Sequence, residues 1–251
     1  MFMAKKKGET NKKLGIILFF LFILAGFLVI FYYKEEIRIW LKKEKRESQI
    51  SYNIGDIPPY SGNDYVILNN NEPLFEEQDY SIVSFEKYSE LDSLGRCGQA
   101  FANIGFDLMP TKERGSIGMI KPTGWHTVKY KHISGKYLYN RCHLIGYQLT
   151  GENANKKNLI TCTRHMNTKG MLEFENKVAT YIKETRNHVL YRVTPIFEGD
   201  NLLVSGVQME AYSVEDHGKG IQFNVYVYNV QEGIQIDYAT GNSKQNISYG
   251  E

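Results

Sequence analysis

Residues 139–178 limit the fold more than any other part of this chain, because their hydrophobic period changes within forty residues. Tyr139-Asn140-Arg141-Cys142-His143-Leu144-Ile145 has the content of a strand. A period of two puts Arg141 and His143 on one face, with Asn140 and Cys142 on the other. The turn-rich Gly151-Glu152-Asn153-Ala154-Asn155 leads to a second short strand, Asn158-Leu159-Ile160-Thr161-Cys162. Met171, Phe174, Val178 and Tyr181 then recur at intervals of three, four and three, the stripe of a helix buried on one side. Strand, strand and helix in such short compass predict an α+β domain: an antiparallel sheet core with flanking helices.

The polar residues of this stretch carry chemistry. An arginine fork holds phosphate oxygens, and a neutral imidazole takes a proton from water near pH 7. Asn167 and Glu175 lie eight residues apart, about two helical turns, and Glu175 is off the apolar stripe. An amide oxygen and a carboxylate so placed can serve a hard cation directly or through water, as Mg²⁺ needs few protein ligands. Taken singly, each residue has a plainer reading: His143 structural, Arg141 a surface cation, Asn167 a helix cap, Glu175 solvated.

Charge is unevenly distributed. From Arg114 to Leu172 there are ten Lys/Arg and one acid, Glu152, whereas residues 48–251 as a whole carry nineteen Lys/Arg and twenty-three acids. A basic segment on an acidic body suggests a local track for a polyanion. Cys97, Cys142 and Cys162 make no disulfide framework and no zinc spacing, and are expected as small buried residues.

The N-terminal region reads as an anchor. Residues 1–13 form a basic tail, and residues 14–33 are uncharged and almost wholly apolar. Twenty residues at about 1.5 Å each match a hydrocarbon core of roughly 30 Å, and no small-residue cleavage site follows. Residues 34–59 read as a charged stalk and linker, ending in Pro58-Pro59. The folded domain is expected over residues 60–241, with a polar tail at 242–251. Within it, Asp64 to Asn69 alternates as a strand. Tyr88 to Ile104 reads as strand then helix. Glu198-Gly199-Asp200-Asn201 is a hairpin turn between Val189–Ile196 and Leu202–Ala211. The alternation over Ile221 to Val230 suggests a sheet buried mainly on one face.

Asn140-Arg141-Cys142-His143 resembles the Asp-Arg-Gly-His signature of the DNA/RNA non-specific endonucleases, which carry a ββα-metal active site. The likeness is greatest to the bacterial branch with streptodornase-like and membrane-attached nucleases. It continues through Lys157-Asn158-Leu159-Ile160-Thr161, Asn167 and Glu175-Asn176-Lys177-Val178, and more weakly from Leu94 to Gly241. Two positions depart from the signature: Asn140 stands for Asp and Cys142 for Gly.

The resemblance implies hydrolysis of DNA and RNA with Mg²⁺ (or Mn²⁺) and 5′-phosphate products. By match, His143 is the general base, Asn167 the direct metal ligand, and Glu175 the holder of metal-bound water. Asn158 positions the site and Arg141 contacts phosphate. Arg114, Asn140, Lys156, Lys157, Arg164 and Lys169 are the candidate nucleic-acid contacts, and His165 is expected to be merely exposed. The implied partners are DNA and RNA, with the bilayer through the N-terminal helix. Two other readings stay open. One is a non-catalytic surface receptor for nucleic acid, with Asn140 and Cys142 as marks of decay. The other is a transferred toxin nuclease of opposite topology.

Overall fold

The structure is a computed structural model that describes residues 18, 23, 26, 27, 31–34, 36 and 51–246. It divides into two units, residues 1–49 and 50–251. Most of the expected anchor, residues 14–33, lies outside the described residues, and those of it that are described are helical. Among the described residues no helix is long and apolar enough to cross a membrane.

The second unit is built on a seven-stranded sheet. Its strands are β1 (Ser51–Tyr52), β2 (Tyr65–Leu68), β3 (Phe85–Tyr88), β4 (Ala100–Ile104), β7 (Val189–Ile196), β8 (Gly206–Ser213) and β9 (Gln222–Tyr228). They run in the order β1-β2-β9-β8-β7-β4-β3. All pairs are antiparallel except β1 with β2. Two small ribbons stand apart. One is β5 (Tyr139–His143) with β6 (Leu159–Thr163), and the other is β10 (Ile234–Ile236) with β11 (Ser243–Gln245). A short helix α1 (Tyr147–Thr150) lies between β5 and β6, and a long helix α2 (Leu172–Thr185) follows β6.

Helix α2 buries the expected stripe. Phe174, Val178 and Ile182 enter one core with Tyr191, Phe223, Val225 and Val227 of the sheet. Phe174 lies edge-on to Tyr65 and packs against Phe223, their ring centroids 4.9 Å apart. Full burial of such side chains stabilises by about 1.5–3 kcal/mol each, so this layer is the main support of the domain.

Several sequence expectations need correction. Ala100–Ile104 is strand, not helix: Ala100, Ala102 and Ile104 alternate into the core and leave Phe101 on the other face. The sheet is buried on both faces of β9, not one. Tyr226 and Tyr228 form a second core with Tyr52, Ile57 and Leu68, and Tyr228 donates to the Pro58 carbonyl at 2.7 Å. Part of the expected linker is therefore a cover, and it belongs to the unit that spans residues 50–251. At the far end, Ser243–Gln245 of the expected polar tail pairs with β10. Cys142 and Cys162 are joined as a disulfide with Cα atoms 5.9 Å apart, within the usual range, while Cys97 is free and buried. Spacing alone did not reveal that pairing. It arises because the β5–β6 register sets Asn140 opposite Cys162 and Cys142 opposite Ile160, which makes the two cysteines diagonal neighbours.

Candidate active site

The site forms where the β5–β6 ribbon meets the start of the long helix. Its first component is His143, the last residue of β5, which is only 6% exposed. Its Nε2 lies 2.8 Å from the Asn153 carbonyl. A carbonyl can only accept, so Nε2 carries the hydrogen and Nδ1 of the neutral ring keeps its lone pair. Arg114 brings Nη2 to 3.3 Å from that Nδ1. Burial and then the Arg114 charge lower the His143 pKa, against the opposing pull of the Asn153 carbonyl. A histidine held neutral and in one tautomer is suited to accept a proton.

Asn158 fixes the chain just beyond the histidine. It is fully buried, accepts from the Ile145 amide at 2.9 Å and donates to the Ile145 carbonyl at 3.0 Å. Its role is to hold the β5 exit rather than to touch a substrate.

Asn167 and Glu175 come next, and here the backbone does something the sequence did not reveal. Residues Met166–Met171 form a π-helical turn that runs directly into α2. A π turn takes up one more residue or so than an α turn, because its hydrogen bonds run i→i+5. Eight residues overshoot two α turns but fill one π and one α turn, so Asn167 and Glu175 share a face. Gly170 lets the π turn seat on the sheet, since a Cβ there would meet Val227 Cγ1 at 2.4 Å. Gly146 has the same use beside the carboxylate: a Cβ would lie 2.8 Å from Glu175 Oε2.

The half-buried Glu175 carboxyl is pushed by burial up to about 7, with the Gln148 hydrogen bond and the Arg114 charge opposing. The Tyr191 hydroxyl, fully buried and without a hydrogen-bond partner among the described residues, is also raised, by burial and then by the Glu175 charge. A desolvated carboxylate facing an amide on one helix face fits a hydrated hard cation. Among the described residues no cluster of three His, Cys, Asp or Glu side chains comes together.

A cleft of roughly 510 Å³ adjoins these groups. Arg114, Arg141, Arg164, Asn140 and Asn167 line it together with Trp125, Tyr137 and Tyr139. Arg141 stacks on Trp125, its guanidinium carbon 3.9 Å from the ring centroid. It also donates from Nε to the Ile120 carbonyl and from Nη2 to the Gly118 carbonyl at 2.9 Å. It thereby ties the 118–125 loop to β5 and keeps part of its donor set for the cleft. Cys142 turns the other way, fully buried in the core, and leaves the cleft open.

The remaining candidates divide. Arg114 and Arg164 converge on the cleft with Arg141 and Asn140, whereas Lys156, Lys157 and Lys169 do not line it. Lys157 pairs with Glu90, and Lys156 and Lys169 are exposed. The basic segment thus makes an arginine-lined cleft, with Lys156, Lys157 and Lys169 outside its lining. His165 is no free surface residue: its Nε2 lies 2.6 Å from Asp64 Oδ1. Sequence reasoning missed the Asn153 carbonyl and Gly146. A backbone acceptor and a close approach leave no side-chain signature to read.

Comparison with known proteins identifies the family and the fold. Residues 77–215 match the family described as DNA/RNA non-specific endonuclease. The fold superposes on NucA from Streptococcus agalactiae with no metal bound at TM-score 0.65 and 26% identity, covering 77% of this chain and 92% of that one. On the same protein with magnesium bound the values are 0.66 and 25%, over 77% and 93%. The Sda1 nuclease with bound zinc gives 0.55 and 30%, over 65% of this chain and 82% of that one. The matched family spans more than half of the chain and includes every residue of the site just described. The chain belongs to the DNA/RNA non-specific endonuclease family and is a nuclease.

Proposed function

We propose that this protein is a membrane-anchored, Mg²⁺-dependent endonuclease that hydrolyses DNA and RNA outside the cytoplasm. The observation that carries the catalytic part is the pairing of a buried, single-tautomer His143 with the Asn167–Glu175 face beside an arginine-lined cleft.

His143 Nδ1 takes a proton from water, and the water oxygen attacks phosphorus. The bond from phosphorus to the 3′-oxygen breaks, and that oxygen leaves and takes a proton from solvent. The products carry a 5′-phosphate and a 3′-hydroxyl. Arg114 and Arg141 hold the non-bridging oxygens, and Asn158 keeps the histidine in place. Asn167 and Glu175 would hold the Mg²⁺ (or Mn²⁺). When bound, such an ion stabilises the charge that builds up as the bond breaks. Recognition through phosphate, common to DNA and RNA, accounts for non-specificity.

Residues 14–33 serve as the anchor. The Cys142–Cys162 disulfide supports a location outside the cytoplasm, because structural disulfides persist in oxidising compartments. The burial of Cys142 away from the cleft removes one of the two marks on which a non-catalytic receptor reading rests.

The test is the nicking of circular plasmid by the purified protein. Nicking in Mg²⁺, its loss in EDTA, and 5′-phosphate ends are expected. A folded protein that binds plasmid but never cuts it, in Mg²⁺ or Mn²⁺, would replace this reading with the receptor.

A further inference from the structure

The cleft contains an aromatic ring that the hydrolytic chemistry does not use. Tyr137 lies on its wall and is 46% exposed, whereas its neighbours Leu138 and Tyr139 are buried in a second core with Ile133 and Leu203. The loop that presents it is closely tied. Leu138 donates to the Val128 carbonyl at 3.0 Å, Tyr130 to the Lys136 carbonyl at 2.8 Å, and Lys136 to the Ile133 carbonyl at 2.8 Å. Lys136 takes a left-handed conformation, φ 67°, to turn the chain, and Lys129 pairs across the loop with Tyr137. The Lys129 Nζ sits 4.6 Å from the Tyr137 ring centroid.

A large apolar ring kept exposed on a fixed loop, beside Arg114, Arg141 and Arg164, suits a substrate with both charge and flat apolar surface. A nucleotide has both: the arginines take phosphate and the ring takes the face of a base. A base in a duplex has its faces covered by its neighbours and is not available. We propose that Tyr137 is a base-stacking platform at the cleft, by which this nuclease grips an unpaired base of single-stranded nucleic acid in addition to phosphate. The inference rests on the nuclease reading, and it adds a substrate form that phosphate contacts alone do not select.

The test uses the full-length protein in detergent with Mg²⁺, in a His143→Ala background so that the probe survives. The probes are a fluorescein-labelled oligothymidylate and an oligonucleotide of equal length made of abasic residues, with the same phosphates and no bases. Binding is followed by fluorescence anisotropy. His143→Ala protein should bind the thymidylate about tenfold tighter than the abasic strand, the low-to-middle range for loss of one base–aromatic stack. Adding Tyr137→Ala should abolish that preference while leaving the abasic affinity where it was, and Tyr137→Phe should keep the preference. Equal binding of the two probes by the His143→Ala protein, or a preference that survives Tyr137→Ala, overturns the proposal. Failure of the nuclease reading looks different: neither probe binds, and the wild-type protein does not cut plasmid in Mg²⁺. That result overturns both.

Discussion

In the central sheet, Arg192 and Glu210 face each other across β7 and β8, both largely buried. Glu210 takes two hydrogen bonds from Arg192, at 2.7 and 2.9 Å, and a third from the Leu74 amide at 2.8 Å. Asn224 and Asn229, fully buried, are likewise bonded to the Glu72 and Val204 carbonyls. The ribbon and the helix beside it behave otherwise. The Glu175 carboxyl is desolvated and lifted to about 7, and Arg164 Nε, Thr161 Oγ1 and Asn153 Oδ1 are buried without partners among the described residues. Unpaired buried polar groups cost free energy, and the sheet holds two as well, Asn103 Oδ1 and Tyr191 Oη, so what separates the regions is charge: the sheet's buried carboxylate is paired with an arginine, and among the described residues that of the helix is not.

This comparison can be broken by exchanging the consequences of mutation. His143→Ala should lower the plasmid nicking rate by about 10²–10⁴-fold, the usual range for a general base, while the circular dichroism of the domain is retained. A rate within a few-fold of wild type would remove His143 from its role. Glu210→Ala leaves Arg192 buried without its carboxylate and should cost about 3–5 kcal/mol of stability, read from the urea midpoint. The molecules that remain folded should cut at the wild-type rate, and a large loss of rate per folded molecule would contradict the division.

Gly146→Ala pushes on the Glu175 carboxylate. The Mg²⁺ concentration for half-maximal rate should rise about tenfold, the low end for disturbance next to a metal ligand, with little change in stability. The smallest effect concerns pH. At saturating Mg²⁺, which would keep the Glu175 carboxylate ionised, neutral His143 is the active form and its pKa is lowered, so the rate should fall as pH drops through a value below the usual histidine range. Arg114→Gln removes one cause of the lowering, and the acid limb should then move to higher pH. A shift in the other direction would mean that the limb belongs to another group.

Much of this was legible in the sequence, and the exceptions follow a pattern. The β5–β6 ribbon, the stripe on the long helix and the β7–β8 pair are set by local period, and Phe174, Val178 and His143 lie where the pattern put them. What period cannot report is which distant segment covers a surface. Tyr226 and Tyr228 read as an outward face, yet residues 52–60 lie over them. Ala100, Ala102 and Ile104 carry good helix formers among them, and burial between β3 and β7 overrides that preference.

The site was legible as a set of residues but not as an arrangement. Only the structure supplies the π turn that brings Asn167 and Glu175 to one face, and the carbonyl that fixes the His143 tautomer. The charge block joined arginines that line the cleft with lysines that do not, because a run of like charge does not say which side chains share a side.

We propose that two separable parts meet here: Asn167 and Glu175 would hold a divalent ion, and His143 would activate water next to it. Mn²⁺ binding followed by electron paramagnetic resonance tests this most directly, in wild-type protein, His143→Ala and Asn167→Ala. One tight site per chain is expected in the wild type. His143→Ala should bind as well as wild type without cutting, and Asn167→Ala should lose both binding and cutting. If Asn167→Ala kept full Mn²⁺ affinity, or if His143→Ala lost it, the ion would sit elsewhere and the assignment of roles would be wrong.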